Sequence, residues 1–127
     1  MTKPALAAEP VERALVLSQA VAETARRLAI RPTDLAPIIG VSQPSASRLM
    51  KGQFLVKEGT PEWQLSALFV RLYRGLFSIV GNSDELARVW LNSANQAFGG
   101  KSPIGAISSI TGLVAACDYI DAHRAPV

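Results

Sequence analysis

The chain has 127 residues, 49% of them hydrophobic and 18% charged, which suits one domain, or two very small ones sharing a core, and excludes an intrinsically disordered chain. The longest apolar stretch, Leu65 to Val80, is interrupted by Arg71 and Arg74, so no membrane span is expected, and Glu9, Glu12 and Arg13 interrupt anything resembling a signal core. The single cysteine, Cys117, excludes an internal disulfide framework and a cysteine-rich zinc site, and a reducing cytoplasm is the expected location. The net charge of +3 is unevenly placed: residues 1–59 carry eight Lys/Arg against five Asp/Glu, whereas residues 60–127 carry five of each. A basic first half beside a neutral second half is compatible with a polyanion meeting the first half alone, although so small an imbalance can arise by chance.

The pattern along the chain is helical throughout, with no period-2 strand, and the expected fold class is all-α. Pro10 opens a helix whose apolar positions run from Val11 to about Ile30, where Arg31-Pro32 breaks it. Thr33 can cap a second helix over Asp34 to Ile39, closed by Gly40, with Pro37 in its first turns. Ser42 can cap a third, from Gln43 to Lys51-Gly52, with Pro44 near its start. Gln53 to Gly59 reads as a linker. Thr60-Pro61-Glu62 is a helix start, followed by the most apolar face in the chain as far as Val80. Ser83-Asp84-Glu85 opens a short helix through Trp90 and Leu91, Phe98-Gly99-Gly100 is a turn, Pro103 opens a short helix to about Ser109, and a last helix spans about Gly112 to Ala122. The expected division is 1–59 and 60–127.

The segment from Thr33 to Gly52 carries the most specific pattern. A helix-turn-helix needs a small residue where its helices touch, a glycine to turn the chain and apolar residues facing the core. Ala36 supplies the first, Gly40 the second, and Leu35, Ile39, Val41, Ala46 and Leu49 the third. The second helix would then present Ser42, Gln43, Pro44, Ser45, Ser47, Arg48 and Lys51 to a ligand. Gln can bond an adenine edge twice, Arg a guanine edge, and serine hydroxyls can bond phosphates, while Pro44 offers only apolar contact. The segment resembles the helix-turn-helix of the Xre/Cro/repressor class, which implies base contacts from Gln43, Pro44 and Arg48. An ordinary helical hairpin with a glycine turn is the alternative.

The second half contains Trp90-Leu91, then Asn95, Phe98-Gly99-Gly100, Pro103, Ile107 and Gly112 before the apolar last helix. With these motifs in this order, the chain from about residue 11 onward resembles the Xre/MbcA/ParS antitoxin family. The resemblance implies an Xre-like helix-turn-helix joined to a helical toxin-binding domain, a RES-domain toxin that degrades NAD as partner, and repression of the protein's own operon through operator DNA. It also implies that the last helix and tail, Tyr119 to Val127, reach toward the toxin's active site. Asp118, Tyr119, Asp121, His123, Arg124 and Val127 are the expected toxin-binding residues. Trp90, Leu91 and Phe98 read more readily as core than as contacts, and Asn95 with the glycines as a turn. A plain helix-turn-helix regulator whose second half only dimerises, with no toxin partner, is the alternative function.

Other constellations fail on spacing. Gly100-Lys101-Ser102 resembles the end of a phosphate loop, but the required earlier glycine is Asn95 and no strand precedes it. His123 is the sole histidine, Cys117 lies on an apolar helical face, and Asp118 with Asp121 suit a solvated helix end. No enzyme, metal or cofactor is expected. Leu68, Leu72 and Leu76, with Phe69, Tyr73 and Phe77 beside them, exceed what one short helix covers, and operators of such proteins commonly mirror a twofold axis. A homodimer is therefore expected, with this helix or the first at its interface.

Overall fold

Residues 9–124 are described by the computed structural model, and every helix among them begins at a start signal visible in the sequence. Proline stands in the first turn of α1 (Pro10–Arg27), α2 (Pro32–Ile39), α3 (Gln43–Met50), α4 (Pro61–Ile79) and α6 (Pro103–Ala106), where a missing amide leaves no bond unmade. Side-chain caps also start α3, where Ser42 accepts from the Ser45 amide, and two more helices: α5 (Asp84–Asn92), where Ser83 accepts from Leu86, and α7 (Ile110–His123), where Ser109 accepts from Gly112. A single 3₁₀ turn covers Gln96–Phe98. No strand occurs among the described residues.

Four boundaries differ from the sequence reading by two residues or more. The first helix stops at Arg27 rather than near Ile30, because Ala29 adopts a left-handed conformation with φ 55°. The Ile30 amide then donates to the Ala25 carbonyl at 2.8 Å and the Ala29 amide to that of Arg26 at 3.1 Å, the two bonds of a Schellman closure. Thr33 lies inside α2, which starts two residues earlier than Asp34, at Pro32, with Arg31 in the cap position, so Pro37 falls in its second turn. The last helix starts at Ile110, capped by Ser109, and the short one before it closes at Ala106.

α4 is the central element and packs against α1, α2, α5 and α7. It buries Leu65, Phe69, Val70, Leu72 and Leu76 against Val21 and Ala25 of α1, Leu35 and Ile39 of α2, and Leu113 and Ile120 of α7, within one continuous core that crosses residue 59. The apolar face of α4 is thus covered within the chain, its remaining Leu68 and Tyr73 being half-buried against the same core. The Leu68, Leu72 and Leu76 line of α4 is taken up inside the chain, while Trp63, Ala67 and Val70 of the same helix line an open groove beside α1. The linker before α4 is fixed by one buried bond: the Val56 amide donates to Ser18 Oγ of α1 at 2.9 Å. No single helix among the described residues is long and apolar enough to cross a membrane.

Candidate functional site

The two candidate surfaces lie on different elements, α3 and the α5–α7 end of the molecule. Gly40, with φ 74°, turns the chain between α2 and α3 in a conformation open to glycine at little cost. Ala36 and Ala46 are buried, as are Leu35, Ile39 and Leu49, which leaves the opposite side of α3 facing solvent. Gln43, Pro44, Arg48 and Lys51 are exposed there, while Ser45 and Ser47 are half-buried. Ser42 and Ser45 are already engaged: Ser42 Oγ donates to Ser45 Oγ at 3.0 Å, and Arg48 Nη2 donates to Ser45 Oγ at 3.2 Å. The Arg48 guanidinium also lies 6.0 Å from the centre of the Phe54 ring, a cation–π distance. One exposed arginine, its fork held by Ser45 and Phe54, one exposed glutamine and one exposed lysine therefore project from α3 and its C-terminal end, and Arg26 of α1 closes that end by donating to the Met50 carbonyl.

At the other end, four rings form a ladder. Trp90 of α5 stacks on Tyr119 of α7 at 6.0 Å, and Phe98 meets both edge-on at 5.8 and 5.7 Å. His123 stacks on Tyr119 at 4.1 Å, its Nδ1 2.8 Å from the Tyr119 carbonyl. Trp90, Phe98 and Tyr119 are half-buried and His123 is exposed, so the ladder is neither core nor free surface but one flank of an open face. Asn95 holds the turn carrying Phe98: its side chain accepts from Ala97 at 2.9 Å and its carbonyl from the Phe98 and Gly100 amides, each at 3.0 Å.

The expected toxin-binding residues separate into two groups. Tyr119 and His123, four apart, join the ladder; Asp118 is exposed on the adjoining face of α7. Asp121 instead turns toward α4, where Arg71 donates to its carboxylate, and Arg124 lies beside Arg71 and Arg74 of α4. Asp121 is thus committed to an internal ion pair and is not a free acid. Val127 lies outside the described residues. The sequence reading did not include Ile110 and Val114, which are 62% and 40% exposed and fall four residues apart on the line leading to Asp118; their i, i+4 spacing was the available signal.

The remaining polar groups have structural partners. The Cys117 thiol is buried, donates to the Leu68 carbonyl at 3.4 Å, and is pushed above its usual pKa by that burial, the nearby Arg71 opposing the shift. Among the described residues no group of three His, Cys, Asp or Glu side chains could hold a metal ion. The two halves are joined at Asp84, which accepts from Arg27 of α1 at 3.1 Å and from the Tyr73 hydroxyl of α4 at 2.6 Å.

Comparison with known proteins bears on the second half of the chain. Residues 75–125 match the sequence model of the antitoxin Xre/MbcA/ParS C-terminal toxin-binding domain. No curated protein matches the chain. The match begins within α4 and takes in the 3₁₀ turn, α5, α6 and α7, and with them every ring of the ladder. Over this segment, about two fifths of its length, the chain is similar to the antitoxin Xre/MbcA/ParS C-terminal toxin-binding domain.

Proposed function

We propose that the protein is the antitoxin of a toxin–antitoxin pair, which binds and neutralises a RES-domain, NAD-degrading toxin in the cytoplasm and represses its own operon through operator DNA. It acts by binding, with no catalytic step of its own. The observation that carries this reading is the half-buried aromatic ladder lying inside the matched toxin-binding domain, beside the exposed line Ile110, Val114 and Asp118. Apolar surface left open beside partly buried rings is what a partner protein covers.

Inhibition in this reading comes from the end of α7. A cleft that binds the diphosphate of NAD is electropositive, so Asp118 is the acid available to it, with residues 125–127 following on. The DNA reading rests on α3. Its exposed Gln43, Arg48 and Lys51 have base- and phosphate-binding chemistry, and α2, the Gly40 turn and α3 have the spacing of a helix-turn-helix.

The test is co-expression with the product of the neighbouring gene, reading co-purification and cellular NAD. Capture of that protein and preserved NAD are expected, and Asp118→Arg should release NAD loss by about tenfold or more in inhibitor strength. A chain that captures no neighbour product and leaves NAD falling would sink the antitoxin reading. Truncation after Arg124 removes residues 125–127 alone, whereas truncation after Ala122 also removes the His123 stack. Full neutralisation by the longer truncation product would exclude the tail as the plug.

A further inference from the structure

The segment from Gln53 to Gly59, read from the sequence as a linker, is pinned in three places. Gly52 has φ 75° and reverses the chain after α3. Its amide donates to the Leu49 carbonyl at 3.0 Å and the Gln53 amide to that of Arg48 at 2.8 Å, the two bonds of a Schellman closure. Val56 is buried, and its amide bonds the buried Ser18 Oγ of α1 at 2.9 Å. Glu58 pairs with Arg13 of α1 at 3.0 Å. A segment that only had to join two helices would keep its freedom, because fixing backbone costs conformational entropy.

Between the first two pins stands Phe54. Its ring is half-buried against the core, and the Arg48 guanidinium lies 6.0 Å from its centre. From within α3, Ser45 Oγ accepts from Arg48 Nη2 at 3.2 Å and from Ser42 Oγ at 3.0 Å. No carboxylate pairs with Arg48 among the described residues. An acid would fix the side chain and also cancel its charge. A ring face and one hydroxyl fix it while leaving the charge, and most of its N–H groups, for an outside acceptor.

We infer that Phe54 is a positioning residue for sequence selection: its ring, fixed by the pinned linker, sets the direction of the Arg48 fork before DNA arrives. The inference rests on the operator reading and deepens it. An arginine loses rotamer freedom when it clamps a base edge, and a fork already held loses less. That gain belongs to the base edge whose geometry the fork matches. Phosphates draw on the charge, which the ring does not alter. Removing the ring therefore lowers preference among sequences, and leaves the grip on random DNA and its salt dependence as they were.

Two measurements on the full chain test this. In the free protein, the Arg48 Nε–H resonance should be ordered and shifted by the ring current; Phe54→Leu should lose both features and Phe54→Tyr keep them. In gel-shift titrations, Phe54→Leu should lower the preference for the DNA upstream of its own gene over a scrambled duplex by about two- to fivefold, the range of an exposed cation–π contact. Phe54→Tyr should retain that preference. In an Arg48→Ala background Phe54→Leu should cost no further preference, since it acts through Arg48. A ring-fluorinated phenylalanine at position 54 keeps the shape and weakens the charge of the ring face, so it should lose preference even if the leucine variant folds poorly. Wild-type preference in the fluorinated protein or in a folded Phe54→Leu overturns the inference, as does a loss that adds in full to that of Arg48→Ala. A mobile, unshifted Nε–H in the wild type also overturns it. A wild-type chain with no preference between the two duplexes overturns the operator reading, and this inference with it.

Discussion

Arg27, the last residue of α1, donates to Asp84, the first residue of α5, across 3.1 Å, and so ties α1 to the segment that matches the toxin-binding family model. The same carboxylate accepts from Tyr73 at 2.6 Å, and Arg88 of α5 donates back to the Arg27 carbonyl at 2.7 Å. An acid at the first residue of a helix is also favoured by the helix dipole. Asp84→Asn keeps the shape and removes the charge. Arg27 is half exposed, so screening discounts its share; the asparagine oxygen can still accept from the part-buried Tyr73 hydroxyl, which leaves the amide NH2 facing Arg27, and the loss should be about 1 kcal/mol. Urea unfolding with an unmoved midpoint would show that this junction contributes nothing to stability.

Tyr73 gives the fold an alkaline limit. Burial, and then its bond to Asp84, raise the phenol above its usual 10.0. A group whose pKa is raised on folding stabilises the fold fully below its unfolded pKa, and that stability is lost as pH climbs through the folded one. Cys117 is shifted the same way from 9.0, chiefly by burial. Stability should therefore fall in two stages above about pH 9, Cys117→Ala flattening the first and Tyr73→Phe the second. Denaturation midpoints measured against pH decide it; a Tyr73→Phe profile parallel to wild type above pH 10 would remove Tyr73 from the account.

Gly112 is required by close approach. A Cβ there would stand 1.8 Å from the Ala106 carbonyl oxygen and 2.6 Å from its carbon, both backbone atoms, so α6 and α7 must separate to admit it. Gly112→Ala should cost about 3 kcal/mol or more, at the upper end of overpacking penalties. Because α7 carries Tyr119 and Asp118, toxin capture should weaken with it. A thermal midpoint within a degree or two of wild type would mean the corner yields freely.

What was legible in the sequence is what acts locally. Proline and serine starts, the Gly40 turn, the buried faces of α2 and α3 and the Asn95 turn all depend on neighbours within a few residues, and all stand as read. The end of α1 was not legible, because its left-handed residue is alanine rather than glycine. The ladder was hidden for another reason: Trp90, Phe98 and Tyr119 are spread over some thirty residues, and only tertiary packing shows that they share a flank. Asp121 was read as an open acid since Arg71 is 50 residues away. The apolar surface left open lies on α1 and on the Trp63, Ala67 and Val70 side of α4 that borders it, because α2 and α7 close over the rest of α4.

Ala29 leads to a stabilising substitution. Its side chain is exposed and its φ is 55°, where an alanine bears a steric cost of about 1–2 kcal/mol that glycine escapes. Glycine gives part of that back through the greater freedom of its unfolded chain, so Ala29→Gly should stabilise by about 0.5–1 kcal/mol. An unchanged or lowered midpoint in chemical denaturation would mean the Schellman closure at Ala25–Ile30 holds alanine without strain.

Arg48 separates the two proposed activities and, within the first, base contact from phosphate contact. It is exposed on α3, with its fork oriented by Ser45 and by the Phe54 ring. A bidentate base contact is worth about 1–3 kcal/mol, so Arg48→Ala should weaken operator binding by about tenfold or more at fixed salt. Arg48→Lys is the sharper variant: it keeps the charge and loses the planar fork. If Arg48 reads a base, the lysine variant should retain binding to random DNA while its preference for the operator drops; if it holds a phosphate, preference should survive in both variants and only overall affinity fall. Neutralisation of the toxin should be untouched, since α3 packs on α1 and α2 and the ladder is carried by other elements, α5, the 3₁₀ turn and α7. Gel-shift titrations on operator and scrambled duplexes, run beside a toxin-capture assay, read all three quantities. Operator binding equal to wild type in both variants would take Arg48 out of the interface, and loss of toxin capture in either would show that the two surfaces are not independent.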